Sequence, residues 1–512
     1  MLKKVYGSAV FGVEATTITV EVNVDTGIGY HLVGLPDNAI KESNYRIAAA
    51  LQNNGYKIPG KKITINMAPA DLRKEGSAYD LTLAVGILAA SKQIQAETLE
   101  DFLIMGELSL DGSLQPIKGA LPIAIKAREE GFKGFILPSQ NAKEAAIVND
   151  LKVYGIDNIK QVIDYFDKGE ELEQTIIDTR EEFYKNLDFP EFDFADVKGQ
   201  ESIKRCMEIA AAGGHNIILI GPPGSGKTML AKRLPSILPP MTLHEALETT
   251  KIHSVVGRIK EHAGLMAQRP FRSPHHTISD VALVGGGAYP QPGEISLSHN
   301  GVLFLDELPE FKRSVLEVMR QPLEDREVTI SRAKFTVTYP SSFMLVASMN
   351  PSPGGYFNDP EAPVTSSPAE MQRYLSKISG PLLDRIDIHI EVTPVPFEKL
   401  SDDRKGESSV EIRKRVTKAR DIQTQRFKDL ENVHYNAQMN TKQIREYCKL
   451  EQSSLDLLKS AMERLNLSAR AYDRILKVAR TIADLDDQAD VNGNHISEAI
   501  QYRSLDREGW LG

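Results

Sequence analysis

The chain has 512 residues, 41% apolar and 26% charged, and its 61 Lys and Arg against 70 Asp and Glu leave a formal net charge of −9. That length suggests about three domains with real cores and excludes a disulfide-stapled mini-protein. The acidic balance excludes a globally basic nucleic-acid coat protein but not a local basic channel.

Only Cys206 and Cys448 are present, far apart, which excludes a secreted disulfide framework and a four-cysteine zinc site and points to a reducing, cytoplasmic setting. The longest apolar runs, 81–90 and 217–220, fall far short of the ~20 residues that span a bilayer, so no membrane partner is expected. Lys3 and Lys4 are soon followed by Glu14 and Glu21, which is no signal peptide.

Residues 1–165 read as mixed α/β. Residues 17–24 alternate like a strand, 62–67 form another, and 77–90 read as a buried helix. Residues 135–138 form a strand ending at Pro138, and 141–148 a short helix. An acidic stretch, 164–196, carries Glu170, Glu171, Glu173, Glu181 and Glu182, with Pro190 near its end. It reads as an interdomain linker over 166–196, or else as a solvated surface helix of one domain. From 197 to 400 the succession of strand, glycine loop, helix and strand predicts a parallel α/β domain. From 401 to 512 the sequence is helical and charged, with helices expected over 410–427, 441–449, 453–465, 469–485 and 497–502.

The apolar residues 217–220 run into Gly221, Pro222, Pro223, Gly224, Ser225, Gly226, Lys227 and Thr228, and Met229 continues into a helix-forming run. This is G-x4-G-K-[ST] in the order strand, loop, helix that gives it meaning. Backbone N–H groups of such a loop turn toward phosphate oxygens, Lys227 reaches the β- and γ-phosphates of ATP, and Thr228 ligates Mg²⁺. About eighty residues on, an apolar run ends in Asp306 and Glu307. At the carboxyl edge of a parallel sheet, Asp306 would hold Mg²⁺ and Glu307 would activate the attacking water. A third apolar run, 343–349, ends at Asn350, whose amide can orient that water; a turn-forming Asn before Pro351 is the plain alternative. Residues 327–330 and 335–339 alternate as two strands of a hairpin, with Arg332 and Lys334 at its tip. A basic run, 413–420, could contact DNA or form a solvated helix face.

With these motifs in place, the chain resembles the AAA+ ATPases of the magnesium-chelatase/MCM branch, on Gly221–Thr228, 303–307, 348–351 and 380–392, and is identified end to end as a member of the ComM/YifB family. The resemblance implies an α/β multidomain fold: a Lon-protease-like (S5 domain 2-like) domain, an AAA+ core and a C-terminal helical lid. It also implies an ATP-driven homohexameric DNA motor, a branch-migration helicase of natural transformation, recombination or repair. In such rings Arg385 matches the arginine finger acting in trans, and Arg470 matches the sensor-2 position on the lid. Chemistry alone would not choose these two from the many arginines. The hairpin tip, with Arg332 and Lys334, would then face a pore and grip the phosphates of single-stranded or branched DNA without reading bases.

Two departures stand out. Alignment to the Lon serine–lysine dyad puts Ala78 at the nucleophile and Leu121 at the lysine, so no peptidase activity is expected. Many family members carry four cysteines after the sensor asparagine; here Ser352, Gly354, Val364 and Ser366 stand in their places, so no zinc is expected. The alternative to a DNA motor is a chelatase-type or protein-remodelling ATPase.

Overall fold

The computed structural model describes residues 1–185, 192–259, 264–287, 290–332, 335–353, 367–395, 406–430 and 433–503. The chain divides into two units, Met1–Leu187 with Thr242–Ala267, and Asp188–Met241 with Gln268–Gly512.

The first unit is built on an eight-stranded mixed sheet. Its order is Gln174–Thr175, Lys152–Ile156, Gly134–Pro138, Phe102–Ile104, Leu2–Phe11, Glu14–Asp25, Lys62–Ala68 and Gly29–Val33. Ile18, Val20, Val22 and Val24 are buried at every second position, the alternation legible in the sequence. Helix Asp80–Ala90 is buried at every residue. It sits against the two N-terminal strands at Gly86, where a Cβ would stand 2.8 Å from a methyl of Val22. Asp80, buried at its first turn, accepts two hydrogen bonds from Arg46, at 2.6 and 2.9 Å. The acidic stretch folds into this unit as far as it is described there. The Thr179 hydroxyl donates to the Ile147 carbonyl at 3.0 Å, and Phe183 is buried.

Thr242–Ala267 joins the same unit. Helix Leu243–Val255 opens with a capping box between Thr242 and Glu245 and lies against helix Ala120–Glu129. The Gly119 N–H donates to the Ser254 carbonyl at 3.0 Å. The Ser254 hydroxyl donates to buried Glu144, which also accepts the Leu121 N–H at 3.0 Å.

The second unit carries a five-stranded parallel sheet in the order Phe271–Arg272, Val302–Leu305, Met344–Met349, Ile217–Ile220 and Ile388–Glu391. Its three central strands are buried at every residue, as strands covered on both faces must be. The helices Ser409–Arg426, Thr441–Tyr447, Gln452–Arg464, Ala469–Leu485 and Gly493–Gln501 follow, close to their expected bounds. The basic run on the first of them is divided, with Lys414 and Lys418 exposed and three arginines engaged by the chain itself. Arg413 donates to the Ser236 carbonyl, Arg415 pairs with Glu208, and Arg420 donates to the carbonyls of Ala211 and Ala212 while lying 4.6 Å from the Tyr435 ring centre. Among the lid helices, buried Asp484 accepts from Arg426 at 2.7 Å, Arg480 at 3.1 Å and Asn436 at 2.8 Å.

Removing that carboxylate leaves two guanidiniums without their counter-charge. Asp484→Ala should therefore lower the stability of the second unit by about 3–5 kcal/mol. Urea unfolding followed by circular dichroism reads the change.

Candidate active site

Strand Ile217–Ile220 delivers the glycine loop to the carboxyl edge of the parallel sheet. The loop runs against the end of the neighbouring strand; a Cβ on Gly221 would lie 2.2 Å from the Val392 carbonyl oxygen. Gly224 and Gly226 take φ of 77° and 92°, the left-handed turns that let the loop curl back. From behind, the Gln200 amide donates to the carbonyls of Ser225 at 3.1 Å and Thr393 at 3.0 Å. Pro223 and Gly224 are exposed at the loop's crest, and Met229 is exposed one turn into helix Lys227–Arg233.

Lys227 opens that helix and is only 9% exposed. Its ammonium lies across the loop, donating to the carbonyls of Gly221 at 2.6 Å and Pro222 at 2.9 Å, and to the side-chain oxygen of Asn350 at 3.2 Å. Burial pushes its pKa below the usual lysine range, against the pull of Asp306 and Glu307. The Ser225 hydroxyl, inside the same loop, is buried and has no hydrogen-bond partner among the described residues. Asn350 is steadied from its backbone side, its carbonyl accepting the Tyr374 hydroxyl at 3.1 Å.

Strand Val302–Leu305 brings up the two acids. Thr228 Oγ1 donates to Asp306 Oδ2 at 2.8 Å. Ser348 Oγ donates to Asp306 Oδ1 and accepts the Glu307 N–H at 3.2 Å. Glu307 takes φ 54° and ψ 53°, a left-handed backbone that costs a non-glycine residue about 1–3 kcal/mol. Its side chain is 56% exposed, and its Oε2 lies 3.9 Å from His276 Nδ1.

The chemistry of this donor set fits a nucleotide triphosphate with Mg²⁺. Thr228 and Asp306 place hard oxygen donors side by side, the ligands Mg²⁺ prefers. Lys227 and the unpartnered Ser225 hydroxyl line a loop whose geometry suits phosphate oxygens. Sequence reasoning gave no role at this site to Ser348, Gln200 or His276. A serine inside an otherwise apolar strand, 344–349, was the available signal for the first.

Arg385 and Arg470 stand in a second cluster. Arg385, just beyond helix Gly380–Leu383, donates to the Pro381 carbonyl at 2.7 Å and pairs with Glu324. Arg470 pairs with Asp384 at 2.8 Å. Among the described residues, neither bonds to the Lys227 group. Buried Asp387 lies two residues further on, 3.1 Å from His215 Nδ1 and 2.8 Å from Arg474. Burial raises its carboxyl, but Arg474 and His215 outweigh that and hold it below the usual range. This buried group fastens the base of the glycine-loop strand to the helix that carries Arg470.

The hairpin forms as expected, with Glu327–Arg332 antiparallel to Phe335–Pro340 and Arg332 opposite Phe335. Lys334 lies outside the described residues. So do Gly354, Val364 and Ser366; Ser352 is described and buried. Among the described residues, no three His, Cys, Asp or Glu groups cluster to hold a metal. No described helix is long and apolar enough to cross a membrane. In the first unit, Leu121 is buried in helix Ala120–Glu129, and the Ser77 hydroxyl donates to Glu107.

Comparison with known proteins places the chain in a family. A family model for magnesium chelatase, subunit ChlI, matches residues 193–400, a second ChlI model matches 20–141, and the ChlI C-terminal model matches 406–503. The chain is 45% identical to the competence protein ComM of Haemophilus influenzae, over 98% of this chain and 97% of that one. It is 44% identical to YifB of Escherichia coli, over 99% of this chain and 98% of that one. Lon protease 2 of Bacillus subtilis is 30% identical over 154 residues, 28% of this chain and 27% of that protein.

Ser348→Ala removes the hydroxyl that fixes both acids. We expect the Mg²⁺ concentration for half-maximal ATP turnover to rise about tenfold, because partners behind a ligand carry that much of its affinity. A Mg²⁺ titration of ATPase activity checks it.

Proposed function

The chain belongs to the ComM/YifB family of magnesium-chelatase-like AAA+ proteins, and from that premise we propose that it is an ATP-hydrolysing, Mg²⁺-dependent motor. On this reading it assembles as a homohexamer in the cytoplasm and moves on single-stranded or branched DNA. Its task is branch migration during recombination, in natural transformation or in repair. The observation that carries the chemistry is the joined set of Lys227, Thr228, Asp306, Ser348 and Asn350, with Glu307 turned out beside it. The likeness to a competence protein over nearly the whole chain supports the DNA substrate.

The roles follow from the positions. Gly221, Gly224, Ser225 and Gly226 wrap the phosphates, with Pro222, Pro223 and Met229 bounding the loop. Lys227 neutralises the β- and γ-phosphates and is released from its carbonyl partners to do so. Thr228 and Asp306 hold Mg²⁺, which when bound offsets charge on the transferring phosphoryl group. Glu307 takes the proton of the attacking water, and Asn350 orients that water. Arg385 of a neighbouring subunit stabilises the transferring phosphoryl group, with Arg470 contributing from the lid. Arg332 and Lys334 grip the DNA backbone. The Lon-like unit shapes the ring or contacts DNA. Alignment to Lon puts Ala78, whose side chain is a methyl group, at the nucleophile position, so no peptidase activity is expected of it.

ATP turnover of the purified chain, with and without a four-way DNA junction, tests this. Junction DNA should stimulate wild type, and the double variant Arg332→Ala/Lys334→Ala should lose that stimulation. Glu307→Gln should lose at least ~10²-fold in turnover. Mixing Arg385→Ala with Lys227→Ala should restore part of the activity that neither has alone, since some sites would again combine an intact Lys227 with an intact Arg385 from the neighbouring subunit. ATP hydrolysis indifferent to DNA would move the chelatase-type or protein-remodelling reading to the front.

A further inference from the structure

Glu307 is the least constrained side chain of the cluster. Both oxygens of Asp306 are held, by Thr228 and Ser348, and the Lys227 ammonium has three acceptors. The Glu307 N–H is fixed by Ser348, but its carboxylate stands 56% exposed. Such a carboxylate samples many rotamers, and a base that must face one water cannot afford that freedom. The group standing beside it is His276, with Nδ1 3.9 Å from Oε2.

The placement of His276 is determined from several sides. Strand Phe271–Arg272 runs parallel beside the acid-bearing strand, with Phe271 opposite Val302 and Arg272 opposite Leu303, so the residues that follow emerge at the same sheet edge. Arg272 is clamped twice by Glu294, at 2.5 and 2.8 Å. The His275 and His276 rings lie 4.1 Å apart at 34°. His275 Nδ1 is 2.9 Å from Thr277 Oγ1, and the Ile278 N–H closes the turn onto the His275 carbonyl at 3.0 Å. The His276 ring also meets Phe311 edge-on, at 6.4 Å and 78°, and Phe311 is 2% exposed. A held ring thus presents Nδ1 to an otherwise loose carboxylate.

We propose that His276 is a positioning residue for Glu307, donating its Nδ1–H to one carboxylate oxygen so that the other faces the attacking water. The inference rests on the reading of Glu307 as the base that accepts the water's proton. At 3.9 Å the pair is about 1 Å from hydrogen-bond distance, and the proposal requires the exposed Glu307 carboxylate to close that gap. The water's proton still goes to Glu307, and His276 neither gains nor loses one. His276 is one-third exposed, so its replacement leaves the core intact.

The test uses the full chain, Mg²⁺ and ATP. His276→Ala should lower kcat about 10- to 100-fold with KM for ATP unchanged. His276→Asn, whose amide N–H stands near the Nδ1 position, should recover most of it. In single-turnover measurements on the Glu307→Gln background, His276→Ala should cost nothing further, because the group it positions is gone. An unchanged kcat in His276→Ala, an Asn variant as poor as Ala, or a full additional loss on the Glu307→Gln background would each overturn the inference. Glu307→Gln turning over as fast as wild type would overturn the reading of Glu307 itself and this inference with it.

Discussion

One carboxylate joins three strands of the second unit. Asp306 ends the strand Val302–Leu305, its Oδ1 accepts from Ser348 on the strand beside it, and its Oδ2 accepts from Thr228, just after the glycine loop that leaves the next strand. The parallel register sets this up. Leu305 lies opposite Ala347, and Ser348 lies opposite Leu219, so the buried serine, one residue further along its strand, reaches Asp306. A carboxylate at the margin of a dry sheet is costly unless its lone pairs are used. Satisfying it with one hydroxyl from each neighbouring segment fixes where the loop, the acids and the sensor asparagine stand.

Two of the nine described non-glycine residues at positive φ, Glu307 and Gln200, stand at this site. Glu307 follows Asp306 directly, and its left-handed backbone turns the chain away from the sheet so that successive side chains diverge. Asp306 stays held at the edge while Glu307 points outward. Gln200 is a second non-glycine residue at positive φ, 57°, and it too serves the loop, bonding across to Ser225 and Thr393. Each costs conformational energy that the surrounding sheet must offset, a pattern concentrated at functional sites. Lys227 shows the same logic electrostatically. It is buried, its pKa is depressed, and it leans on carbonyls that are weaker partners than a phosphate.

The sequence revealed most where its pattern is local. The apolar strands at 217–220 and 344–349, the glycine loop and the helix Ala469–Leu485 each carry their own signal, in composition, spacing or period. Contacts set by tertiary structure were hidden. Ser348 looks like an interruption of a strand until its neighbours' register is known. His276 lies thirty residues before Glu307 and reaches it only because a two-residue strand pairs with the acid-bearing one. The basic run 413–420 reads as a possible DNA surface, yet Arg413, Arg415 and Arg420 are engaged by Ser236, Glu208 and two helix-end carbonyls. Thr242–Ala267 is the largest such case. It lies in sequence between the glycine loop and the acids, and joins the first unit through Ser254, Glu144 and Gly119, none of which forms a motif.

The two arginines expose a division within the chain. Every group that would hold phosphate and Mg²⁺ is gathered at one edge, whereas Arg385 and Arg470 are turned to their own chain's acids, Glu324 and Asp384. Glu324 is 65% exposed, and ion pairs with one partner so open to water are worth at most about 1 kcal/mol. A polyphosphate carries several negative charges in a less hydrated setting, and a guanidinium grips it through paired N–H donors. On the proposed reading, Glu324 would therefore keep Arg385 ordered in the single chain without competing seriously with a phosphate brought up by another subunit. The exchange needs no unfolding and disturbs no buried pair, because Asp387, two residues on, stays locked to Arg474 and His215 beneath it. On the proposed reading of Arg385 as a finger acting in trans, this mounting, a weak tether on a rigid base, would let it leave one carboxylate for another chain's nucleotide.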